Sequence, residues 1–173
     1  ECIYGYESML SYINNQKKYV KNDIPIVGPF HVNKKGSSDM YFKASLMLHT
    51  LRSIINNDNL WYKIIYDISN RFKHQIIDGK DIVDFFNSYF EKDYTVYFNQ
   101  YLHNSQLPIF EYKIERNGKN ITLIYRWEAI ENFNMPIIIN IGNSDLWLYP
   151  SSQWQEKDLG GFDIYEFNVR EDL

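Results

Sequence analysis

Up to Pro108, apolar positions recur at steps of three and four; beyond it they gather in short β-branched or aromatic runs broken by turn residues. That change of period predicts a helical part followed by a β part. From about Glu1 to Lys18, Ile3, Tyr6, Leu10 and Ile13 fall along one side of a helix. A long loop from Asp23 to Ser38 follows, punctuated by Pro25, Gly28, Pro29 and Gly36. Ser38 or Asp39 makes a good N-cap for the next helix, because a short side-chain oxygen can accept from an unpaired backbone N–H. Tyr41, Ala44, Leu48, Leu51 and Ile55 then form one continuous apolar stripe. Asn56-Asn57-Asp58 ends that helix and can cap another, whose stripe is Trp61, Ile64, Ile65, Ile68 and Phe72. After Asp78-Gly79-Lys80 a further helix aligns Ile82, Phe85, Phe86 and Tyr89, and a short one from Tyr94 to His103 uses Tyr97, Phe98, Tyr101 and Leu102. Helices joined by such short turns make a bundle or a stack of antiparallel helices.

In the β part, Phe110–Ile114 and Ile121–Tyr125 flank Asn117-Gly118-Lys119-Asn120, a strong hairpin signal. Ile137–Ile141 is too apolar to have a wet face, and Leu146–Tyr149 and Ile164–Val169 supply two more strands. The fold class expected is α+β: helices over 1–106, then a small antiparallel β-sandwich over 107–173.

Composition narrows the function. The 173 residues are 45% hydrophobic and 23% charged, as in a globular protein, and 15 Tyr, 11 Phe and 4 Trp predict an interior of packed rings. A net charge of −4 argues against nucleic acid as a partner, since phosphate binding needs a clustered basic surplus. No window approaches the roughly 18 consecutive apolar residues of a membrane span. A single cysteine, Cys2, excludes an internal disulfide and, with no base beside it, reads as an inert thiol. The start at Glu1, with no basic stretch leading into an apolar run, is expected to be a cut inside a larger protein.

Candidate chemistry is sparse. None of the four histidines stands at metal-ligand spacing. His49 reads as structural, His74 and His103 as complements to helix C-termini, and His31, in the long loop, as a candidate substrate-side group. Asp78, Asp81, Asp84, Glu91 and Asp93 read as helix caps and a solvated face, without the fixed ligand spacing of a calcium loop. Trp127, Trp147 and Trp154 read as sandwich core more readily than as a sugar-stacking platform. That leaves Tyr41. On physical grounds it simply begins the apolar stripe; alternatively, following a Pro/Gly loop, its phenol sits at the mouth of a cleft with a hydroxyl free to donate.

The stretch Tyr41-Phe42-Lys43-Ala44, continuing through Leu46-Met47-Leu48-His49-Thr50-Leu51-Arg52, resembles the segment of M1-family (gluzincin) zinc aminopeptidases that follows the zinc-binding helices. In that family a Tyr-x-Lys-Gly sequence opens a Leu-rich helix. The surroundings are similar too: Tyr4-Gly5-Tyr6-Glu7 and Asn22–Pro29 before the tyrosine, then Asp81–Phe86 and Gln106–Tyr112, where the catalytic domain leads into a β-sandwich. Ala44 stands where the family has glycine, a change a helix tolerates.

The resemblance implies a parent metallo-aminopeptidase that removes N-terminal residues from peptides with zinc-activated water. Residues 1–106 would complete its catalytic domain. Tyr41 would be the catalytic residue that stabilises the oxyanion. The implied cofactor is zinc, held in the parent by an HExxH helix and a Glu on the next helix. None of those ligands is in this sequence, and Glu1 and Glu7 are not assigned to metal. The implied partners are the peptide substrate and the upstream zinc-binding half of the same chain. No metal is expected on these residues alone, and they are expected to be inactive. The rival expectation is a non-catalytic helical and β-sandwich module that binds a protein or peptide, with Tyr41 as core.

Overall fold

Among the described residues of this computed structural model, 3–90, 92–161 and 166–170, five α-helices are followed by six strands. The chain divides into two compact units between Ser105 and Gln106. The fold is α+β, an N-terminal helical unit and then a small antiparallel sandwich. Glu1, Cys2, Glu91 and the expected strand start at Ile164 and Tyr165 lie outside the described residues.

The helices are α1 (Tyr6–Gln16), α2 (Phe42–Ile55), α3 (Asp58–Arg71), α4 (Gly79–Asn87) and α5 (Thr95–Leu102). Their boundaries follow from local chemistry. Asn56 closes α2 in the left-handed conformation at φ 47°, and the Asn57 side chain caps α3 by accepting from the Leu60 N–H at 3.0 Å. Asp78 and Asp81 form a reciprocal capping box at the start of α4.

Leu51 and Ile64 are fully buried, and rings continue the core across elements: Trp61 against Phe86 at 6.2 Å, and Phe86 against Phe98 at 5.4 Å. The Tyr97 hydroxyl donates to the Met47 carbonyl at 2.6 Å and ties α5 to α2. Burial pushes the Tyr97 and Tyr101 hydroxyls well above their ordinary pKa, so both stay neutral donors.

Two stripes differ from the expected ones. On α2 the fully buried line is Lys43, Met47 and Leu51, so of the expected stripe Leu51 is fully buried, Ala44, Leu48 and Ile55 are half-buried and Tyr41 is exposed. On α1 the expected face is covered only in part: Tyr6 is 48% exposed, Leu10 and Ile13 are half-buried, and the fully buried residue is Gln16, while Ile3, 82% exposed, precedes the helix.

In the second unit β1 (Ile109–Asn117) and β2 (Asn120–Glu128) form the expected hairpin. It runs in register from Ile109 opposite Glu128 to Asn117 opposite Asn120, and Gly118 takes the φ of 63° that the tight turn demands. β3 (Ile137–Ile141) and β4 (Ser144–Leu148) form a second hairpin, while β5 (Gln155–Gly160) pairs with β2 and β6 (Phe167–Val169) with β3. The two three-stranded sheets, ordered β1-β2-β5 and β4-β3-β6, meet at Leu123, Tyr125, Ile139 and Leu148. Strand β5 was not among those expected. From Gln155 to Leu159 half-buried and exposed positions alternate, with Gly160 half-buried as well, so its alternation is one of burial and barely one of hydrophobicity.

Candidate functional site around Tyr41

The loop ahead of α2 closes on itself. The Ser37 N–H donates to the Pro25 carbonyl at 2.9 Å, and the Val27 N–H reaches the Leu102 carbonyl at 3.0 Å, pinning the loop to the end of α5. This close approach requires glycine twice. A Cβ on Gly36 would stand 1.9 Å from the Ile26 carbonyl oxygen, and one on Gly28 would stand 2.5 Å from that of Lys34.

From this frame a short 3-10 turn, Ser38–Met40, leads into α2. Neither Ser38 nor Asp39 caps α2, whose N-cap is Tyr41 without a side-chain bond; Ser37 caps the turn instead, its hydroxyl accepting from the Asp39 N–H at 3.1 Å and donating to Asp23 Oδ1 at 2.5 Å. That donor, with the Ile24 N–H, holds the Asp23 carboxyl below its ordinary pKa. Asp39 instead turns inward. It is 1% exposed, and its two oxygens accept from the N–H groups of Lys21 at 2.9 Å and Asn22 at 2.8 Å.

Lys43, 2% exposed, is the second inward charge. Its Nζ donates to the carbonyls of Asn104 and Ser105, each at 2.9 Å, just past the C-terminal end of α5. Carbonyl oxygens at that end carry the negative pole of the helix and suit a buried ammonium. Burial lowers the Lys43 pKa, and the Asp39 charge opposes that shift.

Tyr41 lies midway between these two residues and points the other way. It is 69% exposed, and its side chain has no partner among the described residues. The phenol is therefore a free donor on a backbone fixed from both sides. The same loop lines a cleft of about 410 Å³, walled by Pro25, Val27, Pro29 and Phe30 with Lys34 and His103. His31 does not line it; it stands exposed beside Phe30 with φ 61°.

The other candidates do not assemble into a site. His49 is half-buried on α2 and engaged with the protein, and His74 is exposed beyond the end of α3. Trp127 is core, its ring N–H donating to the Met135 carbonyl at 2.7 Å. Trp147 is half-buried on β4, and Trp154 is half exposed with the Arg126 guanidinium 4.7 Å from its ring centre, so of the three only Trp127 is fully buried. Asp93 accepts from the Thr95 N–H at the start of α5 at 2.7 Å.

Among the described residues no three His, Cys, Asp or Glu side chains converge to hold a metal. No helix is long and apolar enough to cross a membrane among the described residues. No protein-family model matches the chain, and neither does any curated protein.

Sequence reasoning missed Asp39 and Lys43 as structural charges. A signal was present: Lys43 and Met47 stand four residues apart, as do Met47 and Leu51, so the lysine shares a helix face with two apolar residues.

Proposed function

We propose that this chain is part of an M1-like zinc aminopeptidase, supplying the scaffold after the zinc-binding helices and, in Tyr41, the hydroxyl that stabilises the reaction's oxyanion. The observation that carries the reading is the unpartnered, outward Tyr41 phenol at the start of α2, within the run Tyr41-Phe42-Lys43-Ala44 that resembles the family's motif. When water adds to a peptide carbonyl, negative charge develops on its oxygen. A phenolic O–H held in place beforehand donates to that charge without reorganising, an effect worth about 2.7–4 kcal/mol for one donor. The zinc ligands would lie upstream of these residues.

Two experiments test the reading. Tyr41→Phe in the longer protein is expected to lower kcat by about 100-fold or more, with little change in Tm because the ring is mostly exposed. A near-normal kcat sinks the assignment. Sequencing the coding region upstream of Glu1 is expected to find HExxH followed by a Glu on the next helix. Without those ligands the chain is a non-catalytic peptidase-like module. The 173 residues alone are expected to be inactive, and zinc-dependent peptide turnover by them would contradict that expectation.

A further inference from the structure

Residues 39 and 43 stand two positions either side of Tyr41, carry opposite charges, and are among the most deeply buried polar side chains of the described chain. Burying an ion is unfavourable unless it is well bonded, and a hydrocarbon side chain would fill either place with less desolvation. Both are bonded to backbone rather than to each other. Asp39 takes the N–H groups of Lys21 and Asn22, at the end of the segment that leaves α1; Lys43 takes the carbonyls of Asn104 and Ser105, beyond α5. The two fixed points therefore lie on separate stretches of chain. The Tyr41 backbone between them is bonded at both its polar groups, its N–H to the Ser38 carbonyl and its carbonyl to the Ser45 N–H, each at 3.2 Å.

We propose that Asp39 and Lys43 are positioning residues that hold the first turn of α2 so that the Tyr41 phenol is presented outward in a fixed place. The proposal goes beyond the aminopeptidase reading by naming what aims the phenol, and its catalytic consequence rests on that reading. Displacing a reacting group by about 1 Å can cost about 100-fold in rate, so a donor on a loose turn would be far less effective than one on a clamped turn.

The test is amide hydrogen exchange by NMR on the 173-residue chain, which needs no activity. Ser45 and Trp61 make comparable bonds, each donating four residues back at the start of its helix, Ser45 at 3.2 Å and Trp61 to Asn57 at 2.9 Å. Lys43→Met keeps the aliphatic volume and removes the ammonium. It is expected to speed exchange at Tyr41 and Ser45 by about tenfold or more while leaving Trp61 unchanged. Asp39→Asn is expected to act in the same direction, and Lys43→Arg, which keeps a cationic donor, to restore protection.

Unchanged exchange at Tyr41 and Ser45 in both loss-of-charge variants overturns the proposal. So does an equal rise at Trp61, or unfolding of both variants, because the pair then holds the unit as a whole rather than this turn. In the longer protein Lys43→Met is expected to lower kcat about tenfold or more with KM within about threefold. If Tyr41→Phe leaves kcat intact, the aminopeptidase reading fails, while the exchange result still decides the positioning role.

Discussion

Gly36→Ala is a small change whose effect can be worked out closely. The added methyl would sit 1.9 Å from the Ile26 carbonyl oxygen and 2.8 Å from that of Pro25, both backbone atoms that cannot rotate away. Relief requires the two sides of the loop to part by about 1 Å, which breaks the bond from the Ser37 N–H to Pro25. Overpacking strain of about 1–3 kcal/mol and a net loss of about 0.5–1.5 kcal/mol for the bond give about 2–4 kcal/mol in all. Gly79→Ala is the matched control. Nothing lies within 4 Å of its Cβ, and at the first residue of α4 alanine is expected to be neutral or slightly stabilising. Urea unfolding followed by ellipticity at 222 nm, which weights the helical unit, reads both variants. At an m of about 2 kcal/mol/M, Gly36→Ala is expected to lower the midpoint by about 1–2 M, with Gly79→Ala unchanged or raised. A shift below about 0.3 M for Gly36→Ala, or equal shifts for the two, would show that the loop is not closed in this way.

Two further changes test the frame around the site. Tyr97→Phe removes the hydroxyl that satisfies the Met47 carbonyl in a buried place and is expected to cost about 1–2 kcal/mol in the same unfolding assay; no loss would mean that this bond contributes nothing. Ser37→Ala removes the main cause of the low Asp23 pKa, so carboxyl NMR should find the titration moving up toward the ordinary 3.8. Because a depressed carboxylate stabilises the fold above its unfolded pKa and loses that contribution as pH falls through its folded one, the variant should also lose less stability than the parent below about pH 3.8. An unmoved Asp23 titration would contradict the assigned cause.

Where sequence and fold agree, the controlling physics is local. Asn57 and Asp78 cap the helices they precede, and Gly118 sets the β1–β2 turn, because each acts on backbone within a few residues of itself. The disagreements are tertiary. Lys43 is buried only because Asn104 and Ser105, some sixty residues on, offer it two carbonyls; a charge on an otherwise apolar face carries no sign of so distant a partner. Tyr41 looks like the first residue of a stripe, yet it precedes α2, whose buried line runs through Lys43, Met47 and Leu51. On α1 periodicity identifies a side that could be buried, and only Leu10 and Ile13 on it are half-covered, because burial requires something to pack against. The cleft wall includes His103 rather than His31 or Tyr41, and the Val27–Leu102 bond that brings the end of α5 to the loop could not be read from the sequence.

The strand that hydrophobicity hid has its own significance. A sheet of three strands has a single interior strand and two open borders, and among the described residues β1 and β5 are the borders of the first sheet. Exposed Glu156 and Asp158 on β5, and the Lys113–Glu115 pair on β1, put charge along both margins. Another chain that tried to extend the ladder would have to bring its own backbone up against those ions. The polarity that makes β5 hard to recognise as a strand is thus also what would oppose pairing along that border.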